Sequence, residues 1–266
     1  MTIKALTTKN LTKNYQSRSG TTCALNDINI DIDDKQIVSI MGPSGCGKST
    51  LLQILGGINK PTSGTISFYG HEYSEGIPNE DLKKIGFVFQ ADNLLAWRTV
   101  KDNLYLPLEI MNLRGKEWDN RIHELLDMVG LKKFINAYPH ELSGGMRQRI
   151  RLIRALVHNP NLLLMDQPFG ALDAITRKLL NYEFLSLCKK TQKTILLVTN
   201  DIDEALLLSS KIYIMSSSPG KITNEVKYDL PIAERNRVTA RTNKYQQLRI
   251  ELKKIIQEEM MQLRVS

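Results

Sequence analysis

Cysteine is scarce in this chain: Cys23, Cys46 and Cys188 are the only three among 266 residues, and no two stand in a CxxC spacing. Such a small, odd set argues against a zinc site and fits a reducing compartment. Long apolar runs are missing as well. The longest, such as LLLM from Leu162 and ILLV from Ile195, fall far short of the roughly 20 residues that span a bilayer, so no segment is expected to cross a membrane by itself. The N-terminal MTIKALTTKN has no apolar stretch after its first lysine, which speaks against an export signal and for the cytoplasm. Aromatic residues make up only 6%, and no basic stripe interleaved with aromatics suggests RNA reading. Internal repeats and low-complexity tracts are also lacking.

What is present is enough apolar material, 42%, for a packed core in one large α/β domain or two small ones. The net charge of +8 suits nucleic acid, an anionic membrane surface or a polyphosphate ligand, with a solvated basic surface as the plainer explanation. Short β-type runs recur: INIDI near Ile28, IVSIM at Ile37, TISFYG at Thr65, IGFVFQ at Ile85, NLLLMD at Asn161, TILLVTN at Thr194 and KIYIMS at Lys211. Helical patterns lie between several of them, and LLLM and ILLV suggest parallel strands buried on both faces. The stretch from Asn103 to Val129 reads as helix, with Leu104, Leu108, Ile122, Leu125, Leu126 and Val129 as apolar anchors, and is expected as a helical insertion. After the turn-like SSSPGK comes a polar segment. It ends in an amphipathic pattern that puts Leu248, Leu252, Ile255, Ile256 and Met260 on one stripe of a docked C-terminal helix.

Directly after IVSI stands MGPSGCGKST, in which Gly42, Gly47, Lys48 and Ser49 satisfy G-x-x-x-x-G-K-[ST]. Glycines let successive backbone N–H groups turn inward as an anion nest, and a helix starting near Lys48 adds its positive dipole end. The nest comprises Gly42, Ser44, Gly45, Cys46, Gly47, Lys48, Ser49 and Thr50. Lys48 can reach β- and γ-phosphates, and the Ser49 hydroxyl can ligate Mg²⁺. LLLMD is then the partner strand, delivering Asp166 at its C-terminal end to hold Mg²⁺ through water.

A second anion device precedes it. In ELSGGMRQR, Glu141 to Arg149, Ser143, Gly144 and Gly145 open a helix whose first turn offers its N–H groups. One chain cannot easily bring both devices onto one ATP. With these motifs the chain resembles, over essentially its whole length, the ATP-binding subunits of ABC transporters, in which two subunits pair head to tail. Each ATP then lies between one phosphate loop and the opposite LSGG segment. The resemblance implies an α/β fold with a P-loop NTPase core of ABC type, an antiparallel β subdomain, a helical insertion (about 95–160) and the C-terminal helix (241–266). It implies that Tyr15 stacks on adenine and that Gln90 contacts Mg²⁺ and the attacking water while opening the loop that faces a membrane subunit. Ala171-Leu172-Asp173 would cross the dimer interface. The runs FQADNLLAWRTVKDNLYLPLEI and MDQPFGALDAITR, with the later PGKI and DLP, are similar to importers of nitrate, sulfonates, taurine and pyrimidine precursors.

Two catalytic positions depart from that family. Gln167 stands where a glutamate polarises the attacking water, and Asn200 where a histidine contacts the γ-phosphate; neither can take or carry the charge. Arg151 and Ile153 stand where small alanines are common. The expectations are ATP and Mg²⁺ as ligands, slow hydrolysis at this chain's own phosphate loop, and a place on the cytoplasmic face of the membrane. Partners would be a second ATP-binding subunit, permease subunits and an extracytoplasmic solute-binding protein, but not nucleic acid. Three readings follow: the degenerate half of a heterodimeric importer, a homodimer with two slow sites, or a soluble nucleotide-gated clamp on nucleic acid.

Overall fold

The computed structural model describes residues 3–18, 20–170 and 172–262. In chain order they form β1 (Lys4–Ser17), β2 (Gly20–Asp33), β3 (Ile37–Met41), α1 (Lys48–Leu55), β4 (Ser63–Phe68), β5 (His71–Tyr73), α2 (Asn79–Leu82) and β6 (Ile85–Val88). There follow α3 (Val100–Ile110), α4 (Lys116–Met128), α5 (Gly144–Arg154), β7 (Leu162–Asp166), α6 (Ala174–Thr191), β8 (Thr194–Val198), α7 (Ile202–Leu208), β9 (Lys211–Met215), β10 (Ile222–Lys227) and α8 (Asn243–Gln262). One sheet is antiparallel, in the order β2-β1-β4-β5; the other runs β10-β9-β3-β8-β7-β6, parallel except for the antiparallel edge strand β10.

Every residue of β3, β7, β8 and β9 is buried, as expected of parallel strands covered on both faces. Their alternation divides the core. Leu162, Leu164, Leu196 and Val198 pack with Leu51, Leu55 and the antiparallel sheet, whereas Leu163, Met165, Ile195 and Leu197 pack with Ile150, Phe184 and the helical layer. The hairpin β1–β2 lies over the first of these layers through Leu6, Leu11, Ile28 and Ile30.

The stretch Asn103–Val129 is two helices rather than one. α3 stops at Ile110, Asn112 takes a left-handed φ of 55° and Gly115 one of 141° before α4 starts. Leu104, Leu108, Ile122, Leu125 and Leu126 are buried as expected, while Val129 caps α4 and is half-buried. α8 docks on α7 with Tyr245 and Leu252 buried and Leu248, Ile255 and Ile256 packed behind them. Met260 does not join the stripe. It is 52% exposed, and Glu259 is buried in its place, because the contact repeats at steps of seven from Tyr245 through Leu252 and so reaches 259. Residues 263–266 of the expected C-terminal segment lie outside the described residues.

Candidate functional site

Strand pairing gathers the candidate residues. In the order β3-β8-β7-β6 the C-terminal ends of four parallel strands lie side by side: Ile40 pairs with Val198, Val198 with Asp166, and Met165 with Val88. Each strand then releases one candidate. The phosphate loop follows β3, Thr199–Asn200 follows β8, Asp166–Gln167 ends β7, and Gln90 comes two residues after β6. This is the edge at which open α/β sheets bind ligands.

In the phosphate loop Gly45 (φ 81°) and Gly47 (φ 98°) occupy left-handed backbone that a side chain would strain. A Cβ at Gly47 would also come within 2.8 Å of the Ala24 carbonyl and 2.7 Å of Leu25 Cδ2, so β2 presses on the loop from behind. Lys48, only 4% exposed, donates to the carbonyls of Gly42 (2.8 Å) and Pro43 (2.7 Å) and thereby arches over the loop. Cys46 is buried beside it, and burial raises its thiol pKa. The eight-residue α1 begins at Lys48 with Gly47 as N-cap, directing its dipole into the same cradle.

A divalent cation fits the neighbouring residues. Asp166 is buried, and its Oδ1 has no hydrogen-bond partner. Desolvation raises its pKa, while the Ser49 hydroxyl and the Lys48 charge lower it. An orphaned carboxylate oxygen beside a hydroxyl and an ammonium suits Mg²⁺, which needs few protein ligands when phosphates supply the rest. Among the described residues no group of three His, Cys, Asp or Glu offers an all-protein metal cage. Gln90 is exposed at the mouth of the site.

Gln167 and Asn200, the two residues expected to depart from the catalytic pattern, touch each other. Asn200 Nδ2 donates to Gln167 Oε1 at 3.3 Å. Gln167 holds a left-handed φ of 43°, and its N–H donates to the Val198 carbonyl at 2.8 Å, which turns its side chain towards β8's exit. Beneath Asn200 lies a carboxyl that sequence reading passed over. Glu204, 2% exposed, accepts from the Thr199 hydroxyl at 2.6 Å through Oε2, its Oε1 has no partner, and burial pushes its pKa up to about 8. A carboxyl raised from 4.5 on folding gives stability that is complete below 4.5 and lost as pH rises to about 8. Glu204→Gln is therefore expected to flatten the fall of the thermal midpoint across that window. An unchanged slope would mean that Glu204 is ionised in the fold.

The remaining candidates lie elsewhere. Ser143 caps α5 by accepting from the Met146 N–H at 3.3 Å. A Cβ on Gly144 or Gly145 would meet Leu172, Thr176 and Leu180, so the second anion device faces the start of α6 and not its own phosphate loop. Asp173 caps α6, accepting from the N–H groups of Ile175 (3.1 Å) and Thr176 (3.0 Å). Arg177 ties the Leu172 carbonyl (2.8 Å) to Asp201 (3.2 Å), next to Asn200; Ala171 lies outside the described residues. Tyr15, 39% exposed, stands opposite Thr22 in the hairpin, with Lys13 Nζ 5.0 Å from its ring and its hydroxyl accepting from Asn59. The half-exposed ring stays available for stacking.

Comparison with known proteins places this geometry. The profile of the ABC transporter family matches residues 25–170. A taurine import ATP-binding protein, TauB, of Jannaschia sp. is 42% identical over 81% of this chain and 78% of its own. An aliphatic sulfonates import ATP-binding protein, SsuB, of Bacillus cereus is 38% identical over 93% of both chains. A nitrate import ATP-binding protein, NrtD, of Synechocystis sp. is 39% identical over 83% of this chain and 81% of its own. The dimeric post-hydrolysis structure of the ATP-binding cassette MJ0796, bound to ADP and Pi, superposes with a TM-score of 0.72 at 37% identity, covering 84% of this chain and 98% of that one. The chain belongs to the ABC transporter family, as one of its ATP-binding cassettes.

Proposed function

We propose that this chain is the ATP-binding subunit of an importer for a small solute, that its own site binds ATP but hydrolyses it slowly, and that it forms the degenerate half of a heterodimer. The observation that carries the reading is the amide pair Asn200–Gln167 set beside Lys48, Ser49 and Asp166 in a cradle able to hold nucleotide. Lys48 and the loop N–H groups bind the β- and γ-phosphates. Ser49, Asp166 and Gln90 would hold Mg²⁺, whose chemistry when bound is to neutralise charge on those phosphates. Gln167 can orient a water by hydrogen bonding but cannot accept its proton at neutral pH. Removing a carboxylate from beside the γ-phosphate also lessens repulsion with ATP, favouring a loaded, closed dimer.

Ser143, Gly144 and Gly145 then complete the partner subunit's site, where the hydrolysis that reopens the dimer takes place. Closure is transmitted through the loop after Gln90, from Leu94 to Val100, to cytoplasmic helices of a permease. Among the described residues no helix is long and apolar enough to cross a membrane; the import ATP-binding proteins among the relatives support a peripheral place on the cytoplasmic face beside permease subunits. Taurine, sulfonates and nitrate in the names of relatives support a small solute, with an external binding protein as a further partner. A homodimer is the second reading, favoured by the dimeric state of the related cassette and by the presence of both anion devices on one chain.

The test is to follow γ-labelled ATP bound to the purified chain with Mg²⁺. Intact ATP is expected to persist on the protein, and prompt release of ADP would defeat the proposal. Lys48→Ala should weaken ATP binding by about tenfold or more, the equivalent of a charge-assisted hydrogen bond of about 1.5–3 kcal/mol, in an equilibrium binding assay.

A further inference from the structure

Arg151 is a bulky charged residue within α5, yet it is only 7% exposed. Among the described residues nothing acidic is hydrogen-bonded to it. Its Nη2 donates to the backbone carbonyls of Phe89 and Ala91, the latter at 2.6 Å, and its Nη1 to Gln148 Oε1 at 2.7 Å. Those two carbonyls flank Gln90. Two further arginines on the same face of α5 hold the next residues: Arg147 Nε donates to Asp92 Oδ2 at 3.0 Å, and Arg154 to the carbonyl of Asn93 at 2.9 Å and to its side chain. Positions 147, 151 and 154 recur at helical spacing. Together they fasten 89–93 to the helix that Ser143 caps.

A guanidinium removed from water costs several kcal/mol unless its donors are satisfied. Arg151 meets most of that demand through Nη1 and Nη2, with Nε unpartnered among the described residues, and the two loop carbonyls it engages tie the loop's backbone path to where α5 puts the cation. Arg147 and Arg154 lie on side chains and a carbonyl beyond Gln90, and only Arg151 brackets it. We infer that Arg151 is a positioning residue for Gln90, locking the loop that carries it to the anion-facing helix so that the two move as one body. The inference rests on the proposed role of Gln90 as a ligand of the nucleotide's metal.

The experiment measures Mn²⁺ affinity of the ATP-loaded full chain, by electron paramagnetic resonance, alongside metal-free ATP affinity in EDTA. Arg151→Ala is expected to weaken Mn²⁺ about tenfold, as loss of a residue that orients a ligand does, with metal-free ATP binding unchanged. Arg151→Lys keeps the buried charge but cannot reach both carbonyls, and should fall between; it carries the test if the alanine variant fails to fold. Parallel loss of Mn²⁺ and metal-free ATP binding would make Arg151 merely structural and overturn the inference. If Gln90→Ala weakens Mn²⁺ while the Arg151 variants do not, the inference fails and the role of Gln90 stands. If Gln90→Ala has no effect, that role fails, and Trp97 fluorescence anisotropy in a Trp118→Phe background decides. A drop on Arg151 substitution upholds the loop clamp, and an unchanged value overturns it.

Discussion

Gln167→Glu combined with Asn200→His is expected to raise ATP turnover by the purified chain, at concentrations where two copies pair and each completes the other's site, about 10²–10⁴-fold, the usual contribution of a positioned general base. The geometry explains why the two changes belong together. Gln167 and Asn200 are 33 residues apart in sequence but 3.3 Å apart at their amides, because β7 and β8 pair so that Asp166 lies opposite Val198. A carboxylate at 167 would find the residue at 200 already within hydrogen-bond reach, and an imidazole there could donate to it. Residues in direct contact do not contribute additively, so Asn200→His alone should do little. Turnover by phosphate release distinguishes the readings. In an assembly with a competent partner subunit, the restored chain should alter the total rate only slightly if hydrolysis already occurs at the partner's phosphate loop. A large rise in the complete assembly would instead mean that no competent site existed there and that two slow sites face each other.

The phosphate loop, Asp166 and the LSGG segment were legible in the sequence because each is local: its chemistry resides in a few consecutive residues flanked by the right elements. The parallel strands were legible as short, largely apolar runs. β1 was not, although it is 14 residues long. Asn10 at φ 50° inserts a bulge that shifts the pairing between Thr8 and Leu11, and the shift cancels the two-residue alternation by which a half-buried strand is recognised. β10 was missed because most of its residues are exposed at a sheet edge. The break between α3 and α4 depends on Asn112 and Gly115, within an otherwise continuous apolar period. The burial of Arg151, Glu204 and Arg235 could not be read from the sequence, since a charged residue in a helix or polar segment ordinarily faces solvent. Arg151 and Arg235 are held by tertiary contacts with distant backbone, and Glu204 is buried against the Thr199 hydroxyl.

Arg235→Ala is expected to cost about 3–5 kcal/mol of folding stability, because it leaves several buried carbonyls without a donor at roughly 1–3 kcal/mol each. The guanidinium is fully buried and, among the described residues, has no acidic hydrogen-bond partner. It donates instead to the carbonyls of Leu206 (3.0 Å), Leu207 (3.2 Å), Ser209 (2.8 Å) and Leu230 (2.8 Å), with Tyr228 at 3.4 Å and its ring 4.5 Å away. Leu206 and Leu207 end α7, where helix carbonyls lack internal donors and the dipole is negative. Burial pushes the Arg235 pKa down only to about 10, so the cation persists at neutral pH. A hydrophobic replacement cannot neutralise the loss, because the acceptors are main chain and no compensating substitution removes them. Arg235→Lys should recover only part of the deficit, since an ammonium has three donors from one point and these carbonyls lie on two sides of a planar fork. Denaturant unfolding monitored by circular dichroism measures the effect. With total stabilities of about 5–15 kcal/mol for a domain, the midpoint should fall by about a fifth or more. A shift equivalent to under about 1 kcal/mol would mean that water replaces the guanidinium at these carbonyls and that the segment from Tyr228 to Arg235 is not what fastens the end of α7.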